Sequence, residues 1–583
     1  MRKKLSVAVA ALALLGVSAT VSAQQSDFVP VTDEMLANPN DGDWLMWRNT
    51  LNGWGYSPLD MITRDNVDEL RFAWARAMEP GFQEGTPLVY DGVMYLPHAR
   101  GVIQALDATN GNLIWEYRRQ LPADLAQVVA LSDITRNLAI TEDKVLYSTP
   151  DGFMVALDAV TGQVVWETQV FDYQDNTAMQ TSGPITFGGK IFSGRSCLPS
   201  GGPEACFVTA HDVDSGEELW RFYTIPRPGE PGDETWGDVP YESRMHVGTW
   251  MVPSFDPELN LVYFGTSVSS PYAKFTLGDV EDDYLYQTST LAIDGDTGEL
   301  VWYYQHLRDH WDLDHPFERL LVDTVVAPDP DHVRWISPNV TPGEERKILT
   351  GIPGKTGIVY ALDRATGEFL WATETVQQNV ITDIDPATGD FTINDDVVFT
   401  EVGQEFLICP AAAGGKDWMA GAYSPDTNAM YYPLHNICMN TFAYLDDPAE
   451  LDQGLDFDMV IAPGEEHVGT LRAVSAETGE TLWLIEQDAA FMSVVATGGG
   501  LLFVGDVDQR FRAIDQLTGE IVWETILGSS ITGYPITYAV DGEQYVAVAA
   551  GGALIDPNYI ALAELSPARG SNMVYVFKLP AGN

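Results

Sequence analysis

The segment ALDAVTGQVVW, residues 156–166, carries the pattern that decides the fold, and this pattern recurs along the chain. It reads Ala-x-Asp-x-x-Thr-Gly-x-x-x-Trp, with small departures from copy to copy. The other six copies are ALDATNGNLIW (105–115), AHDVDSGEELW (210–220), AIDGDTGELVW (292–302), ALDRATGEFLW (361–371), AVSAETGETLW (473–483) and AIDQLTGEIVW (513–523). An eighth, degenerate unit is LRFAW, which ends at Trp74 and lacks the turn.

Each copy predicts a β-hairpin. An alternating apolar strand leads into Asp-x-x-Thr-Gly, a tight turn in which glycine supplies a positive φ and Asp or Thr caps backbone donors, and a second strand carries the tryptophan. Because one hairpin cannot bury its faces alone, repeated hairpins stack radially as four-stranded blades with the indoles wedged between neighbours. The eight units therefore predict an all-β fold, an eight-bladed β-propeller with tryptophan-docking repeats.

The spacing of the tryptophans locates the insertions. A bare blade needs about 40 residues; Trp74 to Trp115 is 41 residues, whereas Trp371 to Trp483 is 112. The surplus lies in the middle of the chain, from Trp220 onward. Long insertions in a rigid ring are where binding and catalytic loops are normally carried, so we expect the functional site there.

The composition limits the possible partners. The 583 residues include 31 Lys plus Arg and 84 Asp plus Glu, a formal net charge of −53. Nucleic acid, itself a polyanion, would be repelled at every approach. Hydrophobic residues make up 45% of the chain and aromatic residues 11%, so the chain can bury a large core and is not a disordered acidic tail.

The first residues predict export. Residues 1–4 are basic, residues 5–17 are apolar, and residues 21–23 offer small side chains for cleavage, so residues 1–23 are predicted to be a signal peptide and residues 24–583 a single propeller domain in the periplasm. The apolar run is shorter than the roughly 20 residues that span a bilayer. No later stretch has the length and uniform apolarity of a transmembrane helix.

Four cysteines are present, and an even number in an exported protein indicates disulfides. Proximity in the sequence favours Cys197 with Cys206 and Cys409 with Cys438, one of three possible connectivities. Neither pair forms a Cys-x-x-Cys-His sequence, so a covalent c-type haem is not expected. Any electrons that the protein handles must then leave through a separate carrier.

The segments DHWDLDHPFE (309–318) and GKTG (354–357), together with the repeats and the signal peptide, resemble the quinoprotein alcohol dehydrogenases. These are periplasmic eight-bladed propellers that bind pyrroloquinoline quinone (PQQ) and a metal ion at the central axis. The resemblance covers essentially the whole mature chain. It is strongest to the branch of sorbose dehydrogenases and related oxidases of bulky or secondary alcohols, through the cysteines around PEAC (203–206), RPGEPGDETWGD (227–238) and VGTW (247–250).

The resemblance implies a catalytic aspartate and a metal site. Asp312 matches the family's catalytic aspartate, whose carboxylate takes the proton of the substrate hydroxyl while hydride leaves for the quinone. Asp314 lies two residues on, so both side chains could share one face and one ion. Similar enzymes that use a lanthanide carry an extra aspartate at this spacing, which favours a lanthanide(III) ion, with Ca²⁺ as the alternative. Glu204, after Ser196, is the predicted third ligand.

One part of the family's metal site is absent from the sequence. The family's metal-binding asparagine is expected in a Gly-Asn-Pro motif, and the corresponding segment FGTSVSSP (264–271) contains no asparagine. A hydroxyl, from Ser267 or Ser269, could partly replace it.

The resemblance also implies a set of cofactor contacts. Trp250 matches the tryptophan whose flat face forms the floor under the planar cofactor. Lys355 in GKTG matches the basic residue that reaches the reactive quinone oxygens and stabilises charge developing on reduction. The remaining predicted contacts are Glu84, Arg136, Thr181, Ser196, Asp417 and Phe491.

Several departures from the family predict a wider pocket. The vicinal cysteine pair of many members would fall near Ala130-Leu131 and is missing. Phe491 stands where a cavity-lining tryptophan is usual, and the segment GGALIDP (551–557) lacks another. Smaller side chains leave a wider mouth, which suits a substrate larger than methanol.

The sequence therefore predicts a PQQ- and metal-dependent dehydrogenase that oxidises primary or secondary alcohols, including bulky alcohols, polyols or sugars. In the implied mechanism Asp312 is the general base and the metal acts as a Lewis acid on the C5 carbonyl of PQQ. The expected electron acceptor is external, a c-type cytochrome. The alternatives are oxidation of aldehydes or of a trichothecene hydroxyl by the same chemistry, and a non-catalytic propeller scaffold; the oligomeric state stays open.

Overall fold

The computed structural model describes residues 28–444 and 454–580, and most of its regular structure is β. The predicted signal peptide, residues 1–23, lies outside the described residues. The first fifteen strands are β1 (Tyr56–Ser57), β2 (Arg71–Ala77), β3 (Leu88–Tyr90), β4 (Val93–His98), β5 (Val102–Asp107), β6 (Leu113–Arg118), β7 (Ala139–Thr141), β8 (Lys144–Ser148), β9 (Phe153–Asp158), β10 (Val164–Gln169), β11 (Ala178–Met179), β12 (Pro184–Phe187), β13 (Lys190–Ser193), β14 (Ser196–Cys197) and β15 (Phe207–Asp212). The next thirteen are β16 (Glu218–Tyr223), β17 (Ser254–Asp256), β18 (Leu261–Gly265), β19 (Ser289–Asp294), β20 (Leu300–Gln305), β21 (Leu320–Val326), β22 (Trp335–Ile336), β23 (Glu344–Gly351), β24 (Ile358–Asp363), β25 (Phe369–Glu374), β26 (Ile381–Ile384), β27 (Phe391–Ile393) and β28 (Glu405–Ile408). The last thirteen are β29 (Ala422–Ser424), β30 (Ala429–His435), β31 (Ile437–Ala443), β32 (Leu455–Ile461), β33 (Gly469–Ser475), β34 (Thr481–Gln487), β35 (Phe491–Thr497), β36 (Leu501–Asp506), β37 (Arg510–Asp515), β38 (Ile521–Ile526), β39 (Ile536–Val540), β40 (Glu543–Ala550) and β41 (Met573–Lys578). Three short helices accompany them: α1 (Asp33–Ala37), α2 (Leu125–Val128) and α3 (Asp556–Leu562).

Within the described ranges, eight sheets have four or five strands each, and their core strands are antiparallel. Seven of them contain the hairpin of one sequence copy; β9 and β10, for example, join through the turn from Asp158 to Gly162. The Asp158 carboxylate accepts the backbone N–H of Thr161 at 2.7 Å, and Gly162 has a φ of 70°. The predicted turn chemistry is therefore present in the structure.

In six of the seven copies the indole packs on the turn glycine of the following sheet. A Cβ placed on Gly162 would lie 2.5 Å from the Trp115 ring, so glycine is required there both for its φ and for this contact. Trp115 Nε1 also donates to the Ala159 carbonyl oxygen at 3.0 Å. The same ring-on-glycine contact is made by Trp74 with Gly111, Trp166 with Gly216, Trp220 with Gly298, Trp302 with Gly367, Trp371 with Gly479, and Trp483 with Gly519.

The second strand and the last strand of the described chain meet in one sheet. Strand β2, which carries Trp74, pairs antiparallel with β41, so the degenerate first unit and the last strands form one sheet with β39 and β40. Trp523 of the seventh copy packs edge-on against Phe577 of this sheet, with ring centroids 5.5 Å apart. The docking contacts thus run from sheet to sheet and return to the first, as a propeller requires. The predicted all-β propeller class is confirmed.

Burial changes across each sheet and locates the centre of the ring. Inner strands such as β8 are buried along their whole length, whereas the fourth strands, such as β10, expose every second side chain or more. The loops at the ends of the inner strands therefore meet near the hub. Among the described residues, no helix has the length and apolarity needed to cross a membrane.

The two predicted disulfides form. Cys197 in β14 pairs with Cys206, and Cys409 pairs with Cys438 in β31. The second disulfide ties β31 to the loop that follows β28. The small sheet β28-β31-β32 is part of the long insertion between Trp371 and Trp483 that the spacing of the tryptophans predicted.

Candidate active site

A cavity of about 300 Å³ lies where the loops of several sheets meet. Eight of the predicted site residues line it: Arg136, Thr181, Ser196, Trp250, Asp312, Asp314, Lys355 and Asp417. A larger cavity, of about 710 Å³, lies around Trp54 and Glu258 and contains none of them. The chemistry of the side chains, rather than the size of the cavity, identifies the smaller one as the candidate site; below it is called the hub pocket.

A buried carboxylate shapes the loop that carries Asp312. The Asp309 side chain is fully buried and accepts the backbone N–H groups of Trp311 at 2.8 Å and Leu313 at 2.5 Å. Asp312, between them, has a φ of 69°, a left-handed conformation that aspartate tolerates better than most residues. Burial raises the pKa of Asp309 to about 6.

Lys355 lies between the two aspartates of the motif. Its Nζ donates to Asp312 Oδ1 at 2.9 Å and lies 3.6 Å from Asp314 Oδ2, and its backbone N–H donates to the Asp314 carbonyl oxygen at 2.8 Å. Burial lowers the pKa of Lys355, but attraction to Asp312, Asp314 and Asp417 outweighs burial and raises this pKa above its usual value. The ammonium group is therefore charged at neutral pH.

Asp312 has a strongly perturbed pKa. Burial raises this pKa well above the usual aspartate value; the Lys355 ammonium lowers it, and the carboxylates of Asp314 and Asp309 raise it. A carboxyl group in such surroundings accepts a proton readily, which is the property that a general base needs.

Asp314 is held in a fixed orientation by two donors. Its Oδ2 accepts the Trp250 indole N–H at 3.0 Å, and its Oδ1 accepts the Val268 backbone N–H at 2.7 Å. Trp250 in turn packs edge-on against Phe317, with centroids 5.5 Å apart. The carboxylate and the aromatic floor are thus positioned by one another.

Arg136 brings a cation to the aromatic floor. Its guanidinium carbon lies 5.1 Å from the Trp250 ring centroid, and its Nη2 donates to Glu84 Oε2 at 2.6 Å. Glu84 lies behind Arg136 and does not line the hub pocket; its Oε1 also accepts the Leu554 N–H at 3.3 Å. Burial raises the pKa of Glu84, and Arg136 lowers it.

Asp417 supplies a third carboxylate to the wall of the hub pocket. Its Oδ1 accepts the Trp418 N–H at 2.6 Å. Burial raises the pKa of Asp417 to about 6, against the lowering effect of Lys355.

Besides Glu84, two further predicted site residues lie outside the hub pocket. Glu204 does not line the hub pocket: its carboxylate is 43% exposed and binds Arg227 at 2.7 Å and the Tyr241 hydroxyl at 2.8 Å, because the loop closed by the first disulfide turns it to the surface. The structure therefore does not bring Glu204, the predicted third metal ligand, together with Asp312 and Asp314. Phe491 is fully buried in the apolar core beside the Arg512 guanidinium, 5.7 Å from its ring, and it too is absent from the lining.

The sequence reasoning missed several lining residues. His246 and Trp418 both line the hub pocket, and His246 has a φ of 67°. Burial lowers the pKa of His246 to about 4, so it is neutral. Their positions in the sequence gave a signal, since Trp418 follows Asp417 and His246 precedes the VGTW segment.

The residues of the hub pocket fit PQQ, a planar cofactor with three carboxylates. Trp250 offers a flat face, Lys355 and Arg136 offer charges, and Arg136 Nε and Trp418 Nε1 have no hydrogen-bond partner among the described residues. Buried donors without partners are costly, and anionic ligands can satisfy them. The protein alone offers fewer ligands to a metal ion. No group of three His, Cys, Asp or Glu side chains converges in the described ranges. Asp312 and Asp314 are the two carboxylates brought together.

The fold and the site define a class: a β-propeller with a redox-cofactor pocket at its hub. The family profile described as PQQ "Glucose/ethanol/alcohol dehydrogenase, beta-propeller domain" matches residues 44–388 and 464–546, more than half of the chain. The chain belongs to this family of PQQ-dependent dehydrogenases.

Known proteins similar to this chain support the same family assignment. The chain is 31% identical to the quinohemoprotein alcohol dehydrogenase ADH-IIG of Pseudomonas putida, over 94% of this chain and 77% of that protein. It is 30% identical to the dehydrogenase subunit of the quinone alcohol dehydrogenase of Komagataeibacter europaeus, over 92% and 76%. The solved structure of ADHIIG aligns with a TM-score of 0.82 at 29% identity, covering 95% of this chain and 83% of that one. A europium-containing methanol dehydrogenase aligns with a TM-score of 0.82 at 26% identity, covering 94% and 100%. The chain is thus a PQQ-dependent alcohol dehydrogenase.

Proposed function

We propose that this chain is a periplasmic dehydrogenase of primary or secondary alcohols larger than methanol, with Asp312 as the general base. The observation that carries the proposal is the convergence of eight predicted residues on one cavity, with Asp312 in contact with Lys355. Bound PQQ supplies a two-electron acceptor for the hydride of the alcohol. The sorbose dehydrogenase branch suggested by the sequence is part of this proposal.

Asp312 takes the hydroxyl proton in this proposal. Its side chain reaches the cavity, its raised pKa favours proton uptake, and Lys355 holds one carboxylate oxygen so that the other can face a substrate. Lys355 remains protonated and supplies positive charge beside the cofactor face of the cavity. Trp250 and Arg136 orient the planar cofactor, and Thr181, Ser196 and Asp417 provide further polar contacts.

Asp312 and Asp314 would hold the metal ion, and the Ser196 hydroxyl, which lines the same cavity, is a candidate further ligand. Three carboxylates, those of Asp312, Asp314 and Asp417, line the hub pocket. The cations of the lining are Lys355 and Arg136, and the charge of Arg136 is already neutralised by its ion pair with Glu84. Because PQQ adds three more negative charges, a hard cation is needed for charge balance. We favour a lanthanide(III) ion over Ca²⁺ because Asp314 adds charge at the spacing found in similar lanthanide enzymes.

The proposed electron acceptor is a c-type cytochrome. The net charge of −53 would attract a basic partner and accelerate its encounter with this protein. Loss of rate at high ionic strength would support this part of the proposal, and a rate that is independent of salt would contradict it.

Reconstitution with metal tests the proposed site. The purified protein is supplied with PQQ and either La³⁺ or Ca²⁺, and dye reduction is measured with a panel of alcohols. We expect activity with La³⁺ that Asp314→Ala reduces by at least about 100-fold, the upper end of the loss seen when even a group that only supports a metal ligand is removed, and that Glu204→Ala leaves unchanged. Activity with Ca²⁺ alone that is insensitive to Asp314→Ala would reject the lanthanide assignment. No PQQ-dependent absorbance and no dye reduction with any alcohol would reject the function.

A further inference from the structure

A buried ion pair joins two segments of the chain that both line the hub pocket. Lys416 Nζ donates to Glu318 Oε2 at 2.8 Å, and both side chains are 0% exposed. Neither residue lines the hub pocket itself. Lys416 immediately precedes Asp417 in the sequence, and Glu318 lies four residues after Asp314. The pair therefore connects the segment of the two motif aspartates with the segment of the third carboxylate.

The Glu318 carboxylate binds segment 416–421 at both of its ends. Its Oε2 accepts Lys416 Nζ, and its Oε1 accepts the backbone N–H of Gly421 at 2.8 Å. The buried Arg48 guanidinium donates to the carbonyl oxygen of Gly421 at 2.7 Å. Buried charged side chains thus hold the first and the last residue of the segment.

The middle of this segment forms part of the wall of the hub pocket. Asp417 and Trp418 line the cavity, and Asp417 Oδ1 accepts the Trp418 N–H at 2.6 Å. The Tyr534 hydroxyl donates to the Trp418 carbonyl oxygen at 3.0 Å. A shift at either end of the segment would therefore move a carboxylate and an indole of the cavity wall.

Lys416 also contacts the residue that supports the aromatic floor. Its Nζ lies 4.6 Å from the centroid of the Phe317 ring, within the range of a cation–π contact. Phe317 packs edge-on against Trp250, with centroids 5.5 Å apart. The ammonium group thus links the wall of the hub pocket to its floor.

The contribution of such a pair to stability is small. Burial lowers the pKa of Lys416, and attraction to Glu318 opposes this effect, so the charge is costly to bury. Replacing a buried ion pair by uncharged side chains of similar size is often neutral or stabilising. A buried pair can instead specify one arrangement of the segments that it joins. The arrangement specified here places Asp417 and Trp418 in the hub pocket.

We propose that Lys416 and Glu318 are positioning residues, which hold segment 416–421 and the aromatic floor in the geometry that binds PQQ. They act through Asp417, Trp418 and Phe317. The inference rests on the proposed function of the hub pocket. Its consequence is that removing the pair as a whole weakens the binding of PQQ without an equal loss of stability.

The affinity for PQQ, measured apart from turnover, tests the inference. The full-length protein is titrated with PQQ in the presence of La³⁺ and, separately, of Ca²⁺, and quenching of tryptophan fluorescence gives the dissociation constant. Denaturant unfolding of the same samples without PQQ measures stability.

The double variant Lys416→Met/Glu318→Gln removes both charges, so that no unpaired charge is buried. The glutamine oxygen can still accept the Gly421 N–H. We expect this variant to unfold at a denaturant concentration close to that of the wild type. It should bind PQQ about 10- to 100-fold more weakly, the range of loss when a group that orients a ligand contact is removed from a metal site.

The matched control removes another buried ion pair. Arg512 Nη1 lies 2.7 Å from Asp506 Oδ2, the side chains are 5% and 0% exposed, and neither residue lines the hub pocket. Arg512→Met/Asp506→Asn should leave the dissociation constant of PQQ within about twofold of the wild-type value, as for a site independent of the pocket.

The outcomes distinguish the inference from the proposed function. An unchanged PQQ affinity in Lys416→Met/Glu318→Gln, or an equal loss in both double variants, would overturn the inference. If the first double variant does not fold, Glu318→Gln alone is titrated and judged by the same results, since it keeps the shape of the side chain. If the wild-type protein binds no PQQ, the proposed function itself is contradicted, and the inference with it.

Discussion

Replacing Asp417 by asparagine should stabilise the apo protein at neutral pH and have no effect in acid. Burial raises the pKa of this carboxyl to about 6 in the folded protein, and the attraction of Lys355 is already contained in that value. An unfolded aspartate titrates at about 3.9. The folded state therefore holds its proton to higher pH than the unfolded state, so stability is full below about pH 4 and is lost as the pH rises through about 6.

The magnitude follows from the two pKa values. A difference of about two units corresponds to about 3 kcal/mol at 1.36 kcal/mol per unit, and Asp417 is 4% exposed, so solvent screening does not reduce it. Asparagine keeps the oxygen that accepts the Trp418 N–H and removes only the charge. For a chain of this length, about 3 kcal/mol corresponds to a rise in Tm of about 2 °C.

Denaturant unfolding of the apo protein at pH 7.5 and pH 4 measures this difference. We expect Asp417→Asn to gain about 3 kcal/mol at pH 7.5 and close to nothing at pH 4. Asp456→Asn, at an exposed position in β32, is the control and should change neither value. An equal gain at both pH values, or a loss at pH 7.5, would show that the buried charge does not destabilise the fold.

Three further predictions concern catalysis and folding. Asp312→Ala should lower kcat by at least about 1000-fold while PQQ still binds, as measured by absorbance; a small loss would remove Asp312 as the base. Because Lys355 lowers the pKa of Asp312, Lys355→Met should move the acid limb of the pH profile of kcat/KM to higher pH by about one to two units, and a shift to lower pH would contradict the assigned contact. Gly162→Ala, which forces a Cβ against Trp115, should destabilise the fold by at least about 2 kcal/mol more than Gly188→Ala, since Gly188 shares the positive φ but has no neighbour within 4 Å; equal losses in denaturant unfolding would mean that the indole contact contributes nothing.

The propeller could be predicted from the sequence because its signal is local and repeated. Each Asp-x-x-Thr-Gly turn and its tryptophan lie within eleven residues, and the docking of Trp115 on Gly162 repeats the same contact from sheet to sheet. Even the degenerate unit at Trp74 docks on the next turn glycine. The pairing of β2 with β41 could not be predicted, since it joins strands about 500 residues apart in sequence and no local pattern encodes it.

The candidate site likewise contains residues that the sequence could predict and residues that it could not. Asp312, Asp314 and Lys355 lie in short motifs whose residues are close in sequence, and the structure places them in one cavity. Glu204 depended on the register of an irregular loop, and the first disulfide fixes that loop with the carboxylate against Arg227 at the surface.

The fixed orientation of Asp314 bears on the proposed choice of metal. The Trp250 and Val268 N–H groups already hold the Asp314 carboxylate in place. An ion bound by Asp312 would therefore meet a second carboxylate that does not have to reorient to bind it. The Lys355 ammonium, 2.9 Å from Asp312 and 3.6 Å from Asp314, opposes any cation there, so these three side chains, with both carboxyl groups ionised, present a net charge of about −1 to the ion. The three carboxylates of PQQ would increase this charge, and Coulomb attraction grows in proportion to the charge of the ion. A trivalent ion therefore gains about half as much again as Ca²⁺ from the same carboxylates. Since a trivalent ion also costs more to dehydrate, the proposed lanthanide preference depends on the added charge of Asp314 and of bound PQQ together.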